Sequence, residues 1–183
     1  METLMEKYNK KIRLELKDEL GLKNVHLVPR LEKVVVNTGI GRLSQNPNFT
    51  DKILPEIMKE ISLICGQKPA ICKAKKSIAG FKLREGQIVG LKVTLRGKRM
   101  YDFVERLVKI ALPRVRDFKG INLKNVDSKG NLNLGFKEQV VFPEIDQDTS
   151  WVDFGLQVTI TVNARKREEA IELYKKLGFV FKK

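Results

Sequence analysis

Residues 154–162 read FGLQVTITV and alternate apolar with polar side chains without a break. The apolar positions recur at every second residue: Phe154, Leu156, Val158, Ile160 and Val162. The polar positions lie between them: Gln157, Thr159 and Thr161. A period of two is typical of a β-strand that buries one face and exposes the other to solvent. The stretch therefore predicts an antiparallel sheet with one apolar and one polar face.

Earlier segments of the chain repeat this alternation and predict further strands. In GLKVTLRG, residues 90–97, one face is polar: Lys92, Thr94 and Arg96. In LNLGFK, residues 132–137, the polar positions again fall on one side: Asn133 and Lys137. Shorter runs of β-branched or apolar residues predict strands at 31–36 and 69–72. The polar face of the sheet is therefore expected to be partly basic.

Four segments carry apolar residues at helical spacing: residues 3–20, 48–64, 98–112 and 163–177. Thr3 and Glu6 form a T-x-x-E capping box at the start of the first helix. Asn163 is expected to cap the last helix, and Pro113 is expected to end the third. The triplet NTG at 37–39 predicts a tight turn after the first strand.

The elements follow one another in the order α-β-α-β-β-α-β-β-α, without the β-α-β repeats of a parallel sheet. This order predicts an α+β domain in which helices pack on one face of a mostly antiparallel sheet. The opposite face is expected to be open, polar and partly basic, and a long basic loop joins two of the strands. A single domain over residues 1–183 fits the length of the chain.

The chain is strongly basic, since 36 Lys and Arg against 22 Asp and Glu give a net charge of +14. Such a charge favours an anionic partner, nucleic acid first and an acidic membrane surface second. No apolar run approaches the ~18 residues of a membrane span. The first residues, METLMEKYNKK, lack the apolar core of a signal peptide, so a cytoplasmic protein is expected. Cys65 and Cys72 fit no disulfide or metal spacing and are expected to be small buried side chains.

The basic residues are concentrated in and around one predicted loop, at about residues 73–87. Residues 68–99 hold a single acid, Glu85, and ten basic side chains: Lys68, Lys73, Lys75, Lys76, Lys82, Arg84, Lys92, Arg96, Lys98 and Arg99. This segment therefore carries a net +9 of the +14. A disordered, solvated hairpin tip is one explanation, but residues 78–83 are too apolar for a simple linker. Contact with RNA phosphates, through Lys75-Lys76-Ser77 first, is the preferred interpretation.

The predicted polar face contains no aromatic residue that would stack on a base. Sheet proteins that bind single-stranded RNA use two or three exposed aromatic side chains for this purpose. A plain solvated face is the alternative, because antiparallel sheets often have one. The composition of the face favours phosphates, 2′-hydroxyls and the shape of a folded RNA.

Motifs for catalysis or for cofactor binding are weak. NTGIG, residues 37–41, contains a G-x-G, but Ser44 stands where a dinucleotide fingerprint needs its third glycine. The single histidine, His26, has no nucleophile or carboxylate close by in sequence and is expected to be structural. EIDQD, residues 144–148, favours a loop over a metal site. We therefore predict that the protein is not an enzyme and has no cofactor, metal or small-molecule substrate.

Four stretches together form a recognisable set: KVVVNTGIG (33–41), LICGQKPAICKAKKSIAGFKLREGQIVG (63–90), RGKRMYDFVERLV (96–108) and FPEI (142–145). They resemble the bacterial-type family of ribosomal protein L five of the large subunit, the family that binds 5S rRNA. The resemblance extends over essentially the full chain, and its most specific part is the GQKP…KAKKSIAGFKLREG block. Cys72 is a departure, since threonine is expected there in many relatives.

The resemblance implies two RNA-binding surfaces. The open face of the sheet and its adjoining turns would bind 5S rRNA and help to attach it to the central protuberance, beside large-subunit rRNA and neighbouring proteins. The residues implied on the 5S side are Asn37, Thr38, Gly39, Gln67, Lys68 and Thr94. The basic loop would reach the P-site tRNA. The residues implied on the tRNA side are Lys75, Lys76, Ser77, Phe81, Lys82 and Arg84.

The resemblance also implies a contact with a small-subunit head protein and a ribosome-bound location in the cytoplasm. The residues by themselves leave a broader alternative, a generic basic module for RNA or for acidic membranes. A basic amphipathic helix would favour the membrane, but Glu15, Asp18 and Glu19 dilute the charge of the first helix.

Overall fold

The computed structural model describes residues 2–146 and 150–182, and its elements follow the predicted order. The chain has an α+β fold with four helices and a five-stranded antiparallel sheet, which confirms the predicted fold class. The strands are β1 Arg30–Gly39, β2 Ala70–Lys73, β3 Ile88–Leu95, β4 Leu132–Phe136 and β5 Leu156–Asn163. Of the loop predicted at 144–148, residues 147 and 148 lie outside the described residues.

Three of the four helices contain a π turn beside regular α segments. Helix α1 comprises Leu4–Lys7, the π turn Tyr8–Ile12 and Arg13–Glu19, and α2 comprises the π turn Phe49–Ile53 and Leu54–Cys65. Helix α3 comprises Gly97–Arg106, the π turn Leu107–Ala111 and Leu112–Arg114. Helix α4 is Arg167–Lys176 and has no π turn. The predicted capping box is present in α1, because the Glu6 N–H donates to Thr3 Oγ1 and the Thr3 N–H to Glu6 Oε2. Among the described residues, no helix is long and apolar enough to cross a bilayer.

The strands lie in the order β2-β3-β1-β5-β4, so β2 and β4 form the edges of the sheet. β2 and β3 are antiparallel, with Cys72 opposite Gly90. Their register is irregular between Cys72 and Lys73. Residues 74–87 therefore form the connection of a long β-hairpin, which confirms the loop predicted between two strands.

The predicted division of the sheet into an apolar and a polar face holds in β5. Its apolar side chains are all buried: Leu156, Val158, Ile160 and Val162. Gln157 is exposed, and Thr159 and Thr161 are half-buried on the other face. On that face the Thr159 hydroxyl and Asn133 Oδ1 of β4 are hydrogen-bonded at 2.8 Å.

The turn predicted at 37–39 is wrong, because these residues are the end of β1. The side chain of Thr38 is buried, and its hydroxyl donates a hydrogen bond to the Gly155 carbonyl oxygen at 2.6 Å. This bond and the pairing with neighbouring strands hold the triplet in an extended conformation. β5 in turn begins at Leu156, later than predicted.

One predicted helix end is confirmed, and one predicted helix start is wrong. α3 ends at Arg114, one residue after Pro113, so the end predicted at the proline is correct to within one residue. Asn163 ends β5, and the N-cap of α4 is Lys166. Glu169, in the first turn of α4, accepts a hydrogen bond from the backbone N–H of Arg165 at 3.2 Å. Arg165 lies just before the helix, so this bond joins α4 to the chain that precedes it.

The two cysteines are free thiols. Cys65 is buried in α2, as predicted. Cys72 is only half-buried, because β2 is an edge strand, and that part of the prediction is wrong.

The chain divides into two compact units, each built from segments that are distant in sequence. The first unit consists of Met1–Val34, Leu95–Leu134 and Thr159–Lys183, and the second of Val35–Thr94 and Gly135–Val158. The single domain predicted over residues 1–183 stays a prediction.

The first unit is organised around Tyr174 of α4, which is fully buried. Its hydroxyl lies 2.9 Å from the carbonyl oxygen of Gly130 and 3.2 Å from that of Ile160. Burial raises the pKa of this phenol, which therefore remains a hydrogen-bond donor. Gly130 has a φ of +84°, and a Cβ there would lie 2.6 Å from the Cβ of Ala170. The hydrogen bond from Tyr174 thus holds the backbone of Gly130 against α4. Any residue with a Cβ at position 130 would prevent this close approach.

The second unit contains the 139–155 segment, which is held by the side chain of Gln139. This side chain is fully buried, and its Nε2 donates to Ser150 Oγ at 3.0 Å and to the Val152 carbonyl at 2.8 Å. Its Oε1 accepts from the Phe154 N–H at 3.1 Å. One amide therefore satisfies three groups of a segment in which the described residues form only a single 3₁₀ turn, Gln139–Val141.

We expect Gly130→Ala to lower the free energy of unfolding by about 3 kcal/mol, because overpacking costs ~1–3 kcal/mol and left-handed strain ~1–2 kcal/mol. Gly21→Ala is the matched control, because Gly21 has a φ of +61° but no atom within 4 Å of its Cβ position. The control should lose about 1 kcal/mol, from strain alone. Urea denaturation measures both variants. Equal losses would contradict the close approach at Ala170.

Candidate nucleic-acid interface

The hairpin connection between β2 and β3 is ordered by its own backbone hydrogen bonds. At its base the Ala74 N–H donates to the Gln87 carbonyl at 2.8 Å, and the Gly86 N–H donates to the Ala74 carbonyl at 3.0 Å. Near the tip Ile78 and Leu83 exchange both backbone bonds, at 2.9 and 3.1 Å. These bonds extend the ladder of the two strands, so the hairpin tip is structured and not a simple charged linker.

The tip of this hairpin presents an aromatic ring to solvent. Ala79–Phe81 forms a single 3₁₀ turn, and the Phe81 side chain is 75 % exposed. Lys82 follows in the left-handed region, with a φ of +51°. Non-glycine residues rarely adopt this backbone conformation. Those that do are found more often at binding sites than elsewhere.

The basic side chains of the second unit between residues 68 and 92 are all exposed: Lys68, Lys73, Lys75, Lys76, Lys82, Arg84 and Lys92. Within the described part of the chain, none of the seven forms an ion pair. Lysines elsewhere do, for example Lys176, whose pKa is raised because Glu19 and Glu15 accept its hydrogen bonds. The positive charge around the hairpin is therefore not neutralised by ion pairs among the residues described.

The structure brings the six tRNA-side candidates together on this hairpin, and all six are exposed: Lys75, Lys76, Ser77, Phe81, Lys82 and Arg84. Ser77 also has a role within the fold, since its hydroxyl oxygen accepts a hydrogen bond from the Glu85 N–H at 2.9 Å. The others present cations, or in the case of Phe81 a ring, without a side-chain partner in the described residues.

The 5S-side candidates fall into two groups, one beside and on the end of β3 and the other on β1. Gln67 lies beside the end of β3, with Nε2 3.5 Å from the Thr94 carbonyl oxygen, and Lys68 is exposed next to it. Asn37 and Gly39 are exposed on β1, which pairs with β3.

Thr38 differs from the other 5S-side candidates because its side chain is buried. Its hydroxyl bonds Gly155, and its own carbonyl oxygen lies 2.9 Å from the position of a Cβ on Gly90. Only glycine allows this close approach of β1 and β3. Thr38 therefore positions Asn37 and Gly39 and does not itself face solvent.

Sequence reasoning missed Arg42 and Gln45, which lie in the loop after β1. With Gly39 and Gly41 they line a cleft whose other wall is the hairpin tip at 80–83. The hydroxyl of Ser44 donates to the Gly41 carbonyl at 2.7 Å and accepts from Gln87 Nε2 at 2.8 Å, so the loop is tied to the hairpin base. The sequence feature that indicates this cleft is GIGR, residues 39–42, in which two glycines lie beside a basic residue. The three-glycine dinucleotide fingerprint does not include this pattern.

The described residues contain no group of three or more histidine, cysteine or carboxylate side chains placed to hold a metal. His26 is exposed, and its Nδ1 lies 3.3 Å from Arg13 Nη2. The structural role predicted for His26 stays a prediction.

The second unit also contains a buried acid, Glu60 of α2, among its many cations. Burial raises the pKa of this carboxyl, and the charges of Glu56 and Asp153 raise it further. A hydrogen bond with Ser150 and the charge of Lys59 act in the opposite direction but do not cancel the effect of burial. Oε2 has no hydrogen-bond partner among the described residues.

Two family profiles match the chain. The one described as ribosomal protein L5 matches residues 24–84, and the one described as the C-terminus of that ribosomal protein family matches residues 88–181. Proteins named large ribosomal subunit protein uL5 are similar over nearly the full length. That of Natranaerobius thermophilus is 49 % identical over 181 residues, 99 % of each chain. That of Thermus aquaticus is 49 % identical over 180 residues, 98 % of this chain and 97 % of the relative.

We expect Glu60→Gln to stabilise the protein at neutral pH and to leave it unchanged in acid. The folded-state pKa of Glu60 is raised above its ordinary 4.5, so the native state binds the proton more tightly than the unfolded chain. The stability that this group contributes is therefore present below pH 4.5 and is lost as the pH rises through the folded pKa. Urea denaturation as a function of pH measures the effect, with exposed Asp51→Asn as the control. Identical pH profiles for Glu60→Gln and the wild type would contradict it.

Proposed function

The chain belongs to the ribosomal protein L5 family, and we propose that in the large ribosomal subunit it binds 5S rRNA through one surface and the P-site tRNA through another. As a member of this family it is a structural constituent of the large subunit and not an enzyme. Its place is on the ribosome, in the cytoplasm. The two RNA contacts are proposals that its surface chemistry supports.

One observation carries the proposal: the second unit presents seven exposed basic side chains between residues 68 and 92 on an ordered hairpin and its flanks. Like charges held this close repel one another, and an anionic partner that binds among them offsets this cost. Release of counterions from RNA phosphates supplies the compensating free energy. A β-hairpin of this kind is well suited to an RNA backbone because its ordered main chain fixes the points from which the cations extend.

For the 5S side we propose direct contacts from Asn37, Gly39, Gln67, Lys68 and Thr94, while Thr38 positions the first two. These residues supply an amide, bare backbone, a second amide, a cation and a hydroxyl. Such groups recognise phosphates and 2′-hydroxyls of a folded RNA, and none of them is a base-stacking ring. The surface therefore favours recognition by shape.

For the tRNA side we propose the exposed hairpin residues Lys75, Lys76, Ser77, Phe81, Lys82 and Arg84. These residues lie in the connection beyond the ends of β2 and β3, whereas most of the 5S-side residues lie on or beside β1 and β3. Large-subunit rRNA, neighbouring proteins of the central protuberance and a small-subunit head protein are the further partners that we propose.

A salt-titrated binding assay of the purified protein tests 5S recognition against an unrelated folded RNA of the same length. We expect 5S rRNA to remain bound at salt concentrations that release the control RNA, because shape-specific contacts add to the salt-sensitive charge term. Equal and equally salt-labile binding of both RNAs would contradict a 5S-specific surface. Acidic vesicles in the same titration test the membrane alternative.

A second experiment separates the two surfaces. The double variant Lys75→Gln, Lys76→Gln should keep its affinity for 5S rRNA and weaken the contact with P-site tRNA in assembled ribosomes. Asn37→Ala should do the reverse and weaken 5S binding by about 1–3 kcal/mol, because it leaves a polar group of the RNA without a partner. Filter binding measures the affinity for 5S rRNA. Chemical footprinting of assembled ribosomes measures the contact with P-site tRNA.

The double variant Lys23→Gln, Lys52→Gln is the control, because it removes the same charge from exposed positions outside the hairpin. Loss of 5S binding in the Lys75, Lys76 variant, but not in the control, would show that the division of roles is wrong.

A further inference from the structure

The cleft between the loop after β1 and the hairpin tip is a distinct feature of the surface proposed to bind RNA. It has a volume of about 750 Å³ and is open to solvent. Sites for small organic ligands occupy ~300–1,000 Å³, so the cleft is large enough for one nucleotide. Its walls belong to the second unit alone, and the hydrogen bonds of Ser44 with Gly41 and Gln87 hold them together.

The lining of the cleft combines three kinds of group. Arg42 and Lys82 supply two cations, one from each wall, and both are exposed. Neither of these side chains has an ion-pair partner among the described residues. Phe81 supplies an aromatic ring at the mouth, with 75 % of its side chain exposed. An exposed phenylalanine is costly in water, and the free face of its ring is the group on which an unstacked base binds.

The third kind of group is bare backbone. No atom lies within 4 Å of the Cβ positions of Gly39 and Gly80, which stand on opposite walls. A sugar and its phosphate can approach the main chain there without meeting a side chain. Gln45, also exposed, supplies an amide that donates to and accepts from the edge of a base.

We propose that this cleft is a binding site for a single extruded nucleotide of the bound RNA, with its base stacked on Phe81 and its flanking phosphates on Arg42 and Lys82. The proposal rests on the proposed function, since it requires RNA at this surface. A base inside a duplex has no free face for Phe81, so the site distinguishes an unpaired nucleotide from a paired one. A fully polar cleft would bind phosphate without this distinction.

Lys82 is left-handed because it closes the four-residue turn between the paired residues Ile78 and Leu83. A φ of +51° turns the chain sharply, so that consecutive residues present a ring and a cation to the same cleft. Left-handed conformations of non-glycine residues cost free energy and occur often at ligand sites. Base stacking and phosphate binding need both groups within the span of one nucleotide.

Binding of two RNA hairpins of equal length tests the inference. One hairpin is fully paired, and the other carries a single unpaired 2-aminopurine in its stem. We expect the second to bind about tenfold more tightly, the affinity that one stacked base contributes. Its fluorescence should also change on binding, since the base moves from its nucleic-acid neighbours to the ring of Phe81.

Three variants assign this preference to the cleft. Phe81→Leu keeps an apolar side chain without a ring and should abolish the preference for the hairpin with the unpaired base. Arg42→Gln should reduce the preference and lower the slope of log Kd against log salt by about one. Lys52→Gln removes an exposed charge elsewhere in the unit and should weaken both hairpins equally. All three residues are exposed, and thermal unfolding verifies that the variants are folded.

The outcomes separate this inference from the proposed function. Equal binding of both hairpins by the wild type, or a preference that persists in Phe81→Leu, overturns the nucleotide site and leaves the RNA-binding proposal standing. Failure to bind either hairpin or 5S rRNA overturns both.

Discussion

The functional surfaces of the second unit depend on the packing of Thr38 at the end of β1. Its hydroxyl bonds the Gly155 carbonyl ahead of β5, and its carbonyl oxygen lies against Gly90 of β3 at a distance that excludes any Cβ. One residue thus fixes where β1 stands relative to the segments on both of its sides. The exposed positions of Asn37 and Gly39, and the loop that carries Arg42, follow from that placement.

Charge imposes the second constraint on this surface. Seven exposed cations lie in and beside one hairpin, and none of them is neutralised by an ion pair among the described residues. A connection of this composition is kept in one shape by backbone bonds between Ala74 and Gln87 and between Ile78 and Leu83. These bonds join backbone groups of the hairpin itself, so the shape described here requires no contact with a partner. RNA binding therefore does not have to supply the free energy that orders the hairpin.

The periodic elements were predictable from the sequence because their signal is local. Alternation in β3, β4 and β5 and helical spacing in α1 to α4 depend on which side chains face the core, and that pattern is visible in the order of the residues. Not all ends of elements were predictable in this way. Asn37-Thr38-Gly39 has the composition of a turn, but a hydrogen bond to Gly155, more than a hundred residues later, helps to make it a strand. Asn163 is a residue type that often caps helices, but here it is the last residue of β5.

The candidate site divides in the same manner. The basic hairpin was visible as a run of charge, and the resemblance to a known family supplied the identity of the RNA. The burial of Thr38, the cleft at Arg42 and the raised pKa of Glu60 arise from contacts between segments far apart in sequence. No local pattern indicates such contacts, so only the folded chain reveals them.

The edge strand β2 also bears on the behaviour of the protein before it is assembled. An unpaired strand edge is a template on which a second copy can add a strand and begin to aggregate. β2 offers only four residues, its register with β3 is broken between Cys72 and Lys73, and a lysine ends it. Short length, irregularity and charge are the means by which natural sheet proteins discourage such pairing. The hairpin that is suited to RNA is thus also protected against self-association while the chain is free of its partner.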